Sequence, residues 1–445
     1  MQASGLILAA PASGSGKTLV TAALLRHLRR RGLRVAAAKA GPDFIDPTFH
    51  ALASGCPSVN LDPWAMRPET LAAIVAGLQG TADIVLCEGV MGLFDGAGAD
   101  GEAGSTAELA EITGWPVVLV VDARGQGASI AALLRGFASH RPQSPLAGVI
   151  LNRVASLRHR LLLTGAIRRH LPGLAVLGGL SADPALALPS RHLGLIPAGE
   201  TGAAEAVIER AAAQIGACLD IDRLLSLACP SVLVGGDPVP GIPPLGHRIA
   251  VARDDAFCFV YPALLDGWRR AGAELSFFSP LADQRPDLTA DAIYLPGGYP
   301  ELWPGRLAAA DGFRAGLRHA AEESKPIHGE CGGYMVLGEA LIDADGHRQP
   351  MAGLLPMIIS FAERRRSLGY RCATLLSDGP LGRAGSRFRG HEFHYATVQK
   401  ETGHRLWSIS DSAGTDLGAC GIRQGSVFGS FLHLIDRDHS ANHVG

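Results

Sequence analysis

One cysteine constrains this chain's fold more than any other residue. Cys331 stands in His328-Gly329-Glu330-Cys331-Gly332-Gly333-Tyr334-Met335. Ser324-Lys325-Pro326-Ile327 before it predicts a short strand leaving a helix, and Tyr334 to Ala340 after it reads as helix. A cysteine on a sharp turn between strand and helix is a nucleophile elbow. Glycines on both sides let the backbone take a strained turn and let a substrate approach closely. The Gly332 amide, at the start of the new helix, can stabilise both a thiolate and an oxyanion. Cysteine is more often a small buried hydrophobe. Here the flanking glycines and the preceding strand favour the nucleophile.

At 445 residues the chain is too long for one ordinary core, which predicts two or three domains. Hydrophobic residues make up 47% and charged residues 18%, the balance of a well-packed soluble protein. A formal charge of −2 gives no general pull toward nucleic acid or membrane, so neither is expected as a partner. The eight cysteines form no C-x-x-C pair, which points away from zinc and disulfide frameworks and toward a reducing cytoplasm. The N-terminus lacks the pattern of a signal peptide, and no apolar run reaches bilayer-spanning length.

Gly5 to Ala10 is an apolar run suited to a buried parallel strand. Pro11-Ala12-Ser13-Gly14-Ser15-Gly16-Lys17-Thr18 and a helical pattern from Leu19 to Arg31 follow it. That context makes a P-loop for ATP. The amides of Ser13 to Gly16 cradle phosphate, Lys17 reaches its outer groups, and the Thr18 hydroxyl can hold Mg²⁺. Pro11 stands where the usual motif has glycine or alanine. Leu33 to Lys39 reads as the second strand, followed by Ala40-Gly41-Pro42-Asp43-Phe44-Ile45-Asp46-Pro47. Ligands bind at this edge of an α/β sheet, so Asp43 and Asp46 could hold Mg²⁺ or a reacting group; equally, Asp and Pro simply make turns.

Asp83 to Gly89 predicts a strand ending in Glu88, the position of a Mg²⁺-organising acid. Gly89 to Gly104 suggests a mobile active-site loop. Further strands are expected at 116–122, 146–152 and 174–179, with Asn152 placed to read adenine or merely to end its strand. Ala203 to Leu227 reads as one or two helices. These alternations predict a mostly parallel sheet covered on both faces. The region 229–246, dense in proline and glycine, is the linker; it divides a synthetase domain, 1–228, from a second α/β domain, 247–445. In that second domain a strand runs into Pro296-Gly297-Gly298-Tyr299-Pro300-Glu301, where Gly298 can offer a second oxyanion amide to Cys331. Gly429 to His433 is expected to end a late strand, with His433 as base for Cys331. His391 and His394 have the wrong spacing for H-E-x-x-H and face opposite sides of a strand, which argues against zinc.

G-x-C-x-G in this setting resembles the class I glutamine amidotransferases, which hydrolyse glutamine and pass on its ammonia. Their third catalytic member, an acid two residues beyond the histidine, is replaced by Ile435, so the resemblance implies a Cys331–His433 dyad. The N-terminal half looks like the dethiobiotin-synthetase branch of P-loop proteins, which activate carboxylates. Taken in order, A-S-G-S-G-K-T, K-A-G-P-D-F-I-D-P, C-E-G-V-M-G-L-F-D-G, R-H-L-G-L-I-P, A-V-A-R-D-D-A-F, L-P-G-G-Y-P-E, G-E-C-G-G-Y-M and R-G-H-E-F-H-Y resemble the cobyrinic or hydrogenobyrinic acid a,c-diamide synthases.

That resemblance implies that two carboxylates of a corrinoid become amides, using ATP, Mg²⁺ and glutamine. Lys39, Asp43, Asp46 and Glu88 become candidates for substrate placement and phosphoryl transfer, with Thr18, Asp43 and Glu88 on the metal. Ammonia must travel without meeting bulk water, so the two sites are expected to face one another. Arg364-Arg365-Arg366 and Arg371 either meet corrin carboxylates or form a solvated face. A homodimer stays open. Two other functions share these parts: a synthase for a nickel tetrapyrrole, and a P-loop switch ATPase with an inert glutaminase-like domain. Ala12, standing where switch ATPases carry a signature lysine, argues against the second.

Overall fold

The computed structural model describes residues 3–188, 190–191, 194–195, 202–236 and 240–438. Of the R-H-L-G-L-I-P segment, His192, Leu193, Ile196 and Pro197 lie outside the described residues, as do positions 237–239 of the expected linker. The chain divides into two compact units: Met1–Trp64 with Pro68–Pro238, and Ala65–Arg67 with Val239–Gly445. Among the described residues no helix is long and apolar enough to cross a membrane.

The first unit is built on seven parallel strands: β1 Ser4–Ala9, β2 Val35–Ala40, β3 Ser58–Leu61, β4 Ile84–Glu88, β5 Val117–Asp122, β6 Leu146–Val154 and β7 Ala175–Ser181. Their order across the sheet is β3-β2-β4-β1-β5-β6-β7. Leu6 to Ala10 is buried along its whole length, because a parallel sheet is covered on both faces. The helix Lys17–Arg30 turns Val20, Leu24 and Leu28 into that core and sets His27, Arg29 and Arg30 at its carboxyl end, where the helix dipole favours cations. Ala203–Cys218 and Ile221–Leu227 form two helices, as the sequence allowed. A two-residue hairpin, β8 Ser190–Arg191 and β9 Gly194–Leu195, lies late in this unit.

The second unit contains β10 Arg248–Ala252, β11 Glu274–Phe278, β12 Ala292–Leu295, β13 Ile327–Glu330, β14 Ala340–Ile342, β15 Arg348–Pro350, β16 Met357–Ser360, β17 Ser367–Leu375, β18 Arg387–His394, β19 Thr397–Glu401, β20 His404–Asp411, β21 Asp416–Gln424, β22 Val427–Ser430 and β23 Leu432–Arg437. Ten of them make one sheet, ordered β11-β10-β12-β13-β22-β21-β20-β17-β18-β23. The portion from β11 to β22 is parallel, and from β22 to β23 every pairing is antiparallel. Only Phe431 separates β22 from β23, yet they are the two ends of that antiparallel series. One residue spans no more than about 3.6 Å, so the series must curl back on itself. The curl closes over Trp268, Tyr294, Phe388, Trp407 and Phe428.

Three local expectations change. The elbow helix is Gly332–Leu337 and stops at Gly338, and Ala340 opens a strand rather than closing a helix. Ser324 to Pro326 is the turn after the helix Asp311–Glu322, and the strand starts at Ile327. His433 is the second residue of β23, not the end of a strand.

Candidate active sites

The first site lies at the carboxyl ends of β1, β2 and β4. The loop after β1 reverses through Gly14 at φ +79° and Gly16 at φ +93°, where a side chain would be strained. A Cβ on Gly16 would also fall 2.3 Å from the Asn152 amide nitrogen. Asn152 donates that amide to the Ser15 carbonyl at 2.9 Å, and Arg153 donates to the Gly14 carbonyl at 2.7 Å and to Asp122 at 2.6 Å. The end of β6 thus props the P-loop from below. Asn152 is spent on the loop's shape in this structure, a role sequence reasoning did not assign.

Parallel pairing of β2 with β4 puts Lys39 beside Glu88, and pairing of β1 with β4 puts Leu8 on its other side. Glu88 is buried and fully engaged. Its Oε1 accepts from the Thr18 hydroxyl at 2.8 Å, and its Oε2 lies 2.6 Å from His50 Nε2. Burial alone would raise the Glu88 carboxyl, but Lys39, His50 and Thr18 outweigh it and pull it down to about 2. A hydroxyl and an ionised carboxylate in contact are the oxygen donors that suit a hard cation. Lys39 donates to the Gly89 carbonyl at 2.8 Å and pairs with Asp46 at 3.0 Å and Glu88 at 3.6 Å. Burial works against its charge, but Glu88, Asp46 and Asp43 keep it protonated. Asp46 is raised by burial and by the acids Asp43 and Glu88 around it.

Asp43 accepts the backbone N–H groups of Ile45 at 2.7 Å and Asp46 at 3.2 Å, so it forms the turn that starts the helix Asp46–Ser54. Lys17 donates to the Met91 carbonyl. Burial and then the Lys39 charge lower its pKa. Asp95, in the same glycine-rich segment, accepts from Gly92 N–H at 2.8 Å. Asp95 stood in the quoted C-E-G-V-M-G-L-F-D-G motif without a role of its own, and His50 and Arg153 were given none.

The second site surrounds Cys331. This residue has φ +46° and ψ −106°, a conformation a non-glycine residue adopts only when its surroundings force it. The force is visible: its N–H donates to Ser430 at 2.8 Å, and glycines crowd both sides. A Cβ on Gly332 would stand 3.0 Å from the Gly298 nitrogen, so the two expected oxyanion amides are neighbours. Gly298 itself packs on the Ala256 carbonyl, 2.1 Å from where a Cβ would stand. Burial pushes the Cys331 thiol up and Glu301 adds to it, opposed by a hydrogen bond from the Gly332 amide. The thiol lies 3.6 Å from the Phe393 carbonyl.

Ser430, at the end of β22, lies opposite Glu330, and the chain then carries His433 to this elbow three residues later. A Cβ on Gly297 would meet His433 Cε1 at 2.3 Å and Cys331 Cβ at 3.2 Å, so a bare glycine separates nucleophile from base. Burial holds the His433 imidazole down at about 3, and His391 and His394 reinforce this. Glu330, buried directly before the nucleophile, accepts from the Tyr294 hydroxyl at 2.9 Å and from Leu434 N–H at 3.3 Å. Arg371 pairs with Glu392 at 2.8 Å rather than standing free, and Glu392 also meets His394 at 2.9 Å. Arg364, Arg365 and Arg366 are exposed.

A family model described as the CobQ/CobB/MinD/ParA nucleotide binding domain matches residues 6–196. A second, the CobB/CobQ-like glutamine amidotransferase domain, matches residues 248–440. The hydrogenobyrinate a,c-diamide synthase of Sinorhizobium sp is 53% identical over 440 residues, 97% of this chain and 99% of that protein. The chain belongs to this synthase family. The synthases of Rhizobium meliloti (strain 1021) and Rhodobacter capsulatus are each 52% identical over 97% of the chain. Membership covers both sites at once, the P-loop and the cysteine elbow. A glutamine amidotransferase domain and a nucleotide-binding domain in one chain make a C–N bond-forming ligase, fed by glutamine and ATP.

Proposed function

We propose that this chain amidates the a and c side-chain carboxylates of hydrogenobyrinate in cobalamin biosynthesis, with ATP and glutamine, in the cytoplasm. Eight free thiols support the reducing compartment. The observation that carries the reading is the pairing, in one chain, of Thr18–Glu88 behind a P-loop with Cys331 at positive φ beside His433.

A carboxylate resists ammonia because its oxygen is a poor leaving group. Transfer of a phosphoryl group from ATP gives an acyl phosphate, whose phosphate leaves readily. Loop amides and Lys17 hold the transferring group and stabilise its charge. Thr18 and Glu88 fit a magnesium ion, which when bound neutralises phosphate charge. Lys39 and Asp46 line the same edge and place the substrate carboxylate. Asp43 serves them through the turn it forms. In the second unit His433 takes the Cys331 proton, and the thiolate attacks the glutamine amide carbon. The amides of Gly298 and Gly332 stabilise the oxyanion. His433 returns the proton to the departing ammonia, and water hydrolyses the thioester to glutamate.

Incubating the protein with ATP, glutamine and either hydrogenobyrinate or cobyrinate, then weighing the products, tests the substrate. The account expects the diamide from hydrogenobyrinate. Amidation of cobyrinate alone would contradict it.

A further inference from the structure

Ile435 stands where related glutaminases carry the acid behind their histidine. A base buried beside the Phe259 ring still needs its tautomer fixed, and a neighbouring carboxylate is the usual means. We propose that Glu330, the residue immediately before the nucleophile, is the positioning acid of His433. This rests on the reading of Cys331 and His433 as a glutaminase pair.

Glu330 Oε2 lies 4.0 Å from His433 Nδ1, and both side chains are almost completely buried. Its Oε1 accepts from the backbone N–H of Leu434, so the carboxylate grips the strand that carries the histidine. Tyr294, from β12, holds the other oxygen at 2.9 Å. These two donors aim the carboxylate from β12 and β23 together. Closing to hydrogen-bond distance needs a ring shift of about 1 Å, and such contacts tighten when substrate binds.

The other acids nearby are placed differently. Glu392 is held by Arg371 at 2.8 Å and His394 at 2.9 Å, on β18. Glu301 acts on the Cys331 side, where it raises the thiol. The groups facing His433 are therefore Glu330 and Cys331 from the elbow, and His391, Glu392 and His394 from β18. His391 lies opposite His433 in the strand register, and Glu392 acts on the ring from β18 while engaged by Arg371 and His394; Glu330 is the acid 4.0 Å from Nδ1.

The chemistry follows from that contact. With Nδ1–H donated to Glu330, Nε2 keeps its lone pair for the Cys331 proton. The imidazolium formed on transfer is neutralised by the carboxylate beside it. The same Nε2–H then passes to the amide nitrogen as the carbon–nitrogen bond breaks, and ammonia leaves. Burial pushes the Glu330 carboxyl up to about 8, against the hydrogen bonds from Tyr294 and Leu434, and the positive charge that proton transfer creates on His433 draws it back toward the carboxylate.

Steady-state glutaminase kinetics across pH test this in the full chain, with ammonia-driven synthesis as the measure of folding. Glu330→Gln keeps the shape and is expected to lower glutaminase kcat by about 10² to 10⁴-fold, the range known for loss of an orienting acid. KM for glutamine should stay within about threefold, because the acid does not touch glutamine. The ascending limb of kcat/KM should move to lower pH by about half a unit or more, since the imidazolium loses its carboxylate. Ammonia-driven synthesis should persist. Glu330→Asp, one methylene shorter, should give an intermediate kcat and limb. A Glu330→Gln enzyme with wild-type kcat and an unmoved limb overturns the proposal. If Gln at this site prevents folding, an Asp variant with wild-type kcat and limb overturns it instead. Cys331→Ser run alongside separates the two readings: an active serine variant sinks the glutaminase site, whereas a dead one beside a normal Glu330→Gln sinks only the role of Glu330.

Discussion

Thr18 and Glu88 meet through a 2.8 Å hydrogen bond across 70 positions of sequence. The contact follows from topology: β1 and β4 are adjacent and parallel, so the loop after one and the end of the other share an edge. His50 takes the second Glu88 oxygen at 2.6 Å, which leaves the carboxylate ionised and fixed before any nucleotide arrives.

Glu88→Gln should therefore damage phosphoryl transfer far more than folding. Synthesis with either nitrogen donor is expected to fall by about 10²-fold or more. The fold should lose about 1–3 kcal/mol, because Lys39 and His50 keep other partners or an amide oxygen. Product formation and a urea melt on the same sample check both halves; a full synthesis rate would remove Glu88 from the reaction.

Gly297→Ala should silence the glutaminase while sparing the synthetase. The added Cβ would stand 2.3 Å from His433 Cε1, so the imidazole must move. Misplacement of a base by about 1 Å costs on the order of 10²-fold. Glutamate release should fall by that factor and ammonia-driven amidation should not. Unchanged glutamate release would mean His433 is not held against this glycine during turnover.

Much of this was legible in residues alone. The P-loop and the elbow are local, written by glycines that a sharp turn requires, and the pairing of Gly298 with Gly332 follows because each lies just past one of two adjacent parallel strands. Asp43 showed the limit of that reading. A carboxylate directly after Pro42 fits a turn or a ligand equally, and only its two backbone partners decide where its oxygens point. Asn152 was read as placed to read adenine or merely to end its strand; its amide holds the Ser15 carbonyl, a contact between segments far apart in sequence. His433 was recognised, but its strand was not: β22 ends at Ser430 opposite Glu330, and a new strand opens at Leu432, so His433 falls at a strand's start rather than its end. Glu330 was quoted in the elbow motif and given no role.

Glu330 also gives the fold a pH signature. Its carboxyl rises from an ordinary value of 4.5 to about 8, mainly through burial. The folded chain thus binds this proton more tightly than the unfolded chain does. The group's stabilising contribution is complete below about pH 4.5 and fades as pH rises through about 8. Glu330→Gln removes the titration. From about pH 6 to about pH 9 the wild type should lose stability relative to this variant, by up to a few kcal/mol. Denaturant midpoints at both pH values measure it, and a constant difference would refute a raised Glu330.

The central claim is that two chemistries share one chain, with ammonia as their only common currency. Cys331→Ser tests it most directly. Serine keeps the side chain's size but replaces a thiol of ordinary pKa near ~8.5 with a far weaker acid and nucleophile. Amide formation should be measured with glutamine, and with high ammonium at alkaline pH, where free NH₃ is abundant. The account predicts loss of the glutamine reaction by about 10³-fold or more and near wild-type synthesis from ammonia. Loss of both reactions in a variant that stays folded and binds ATP would contradict it.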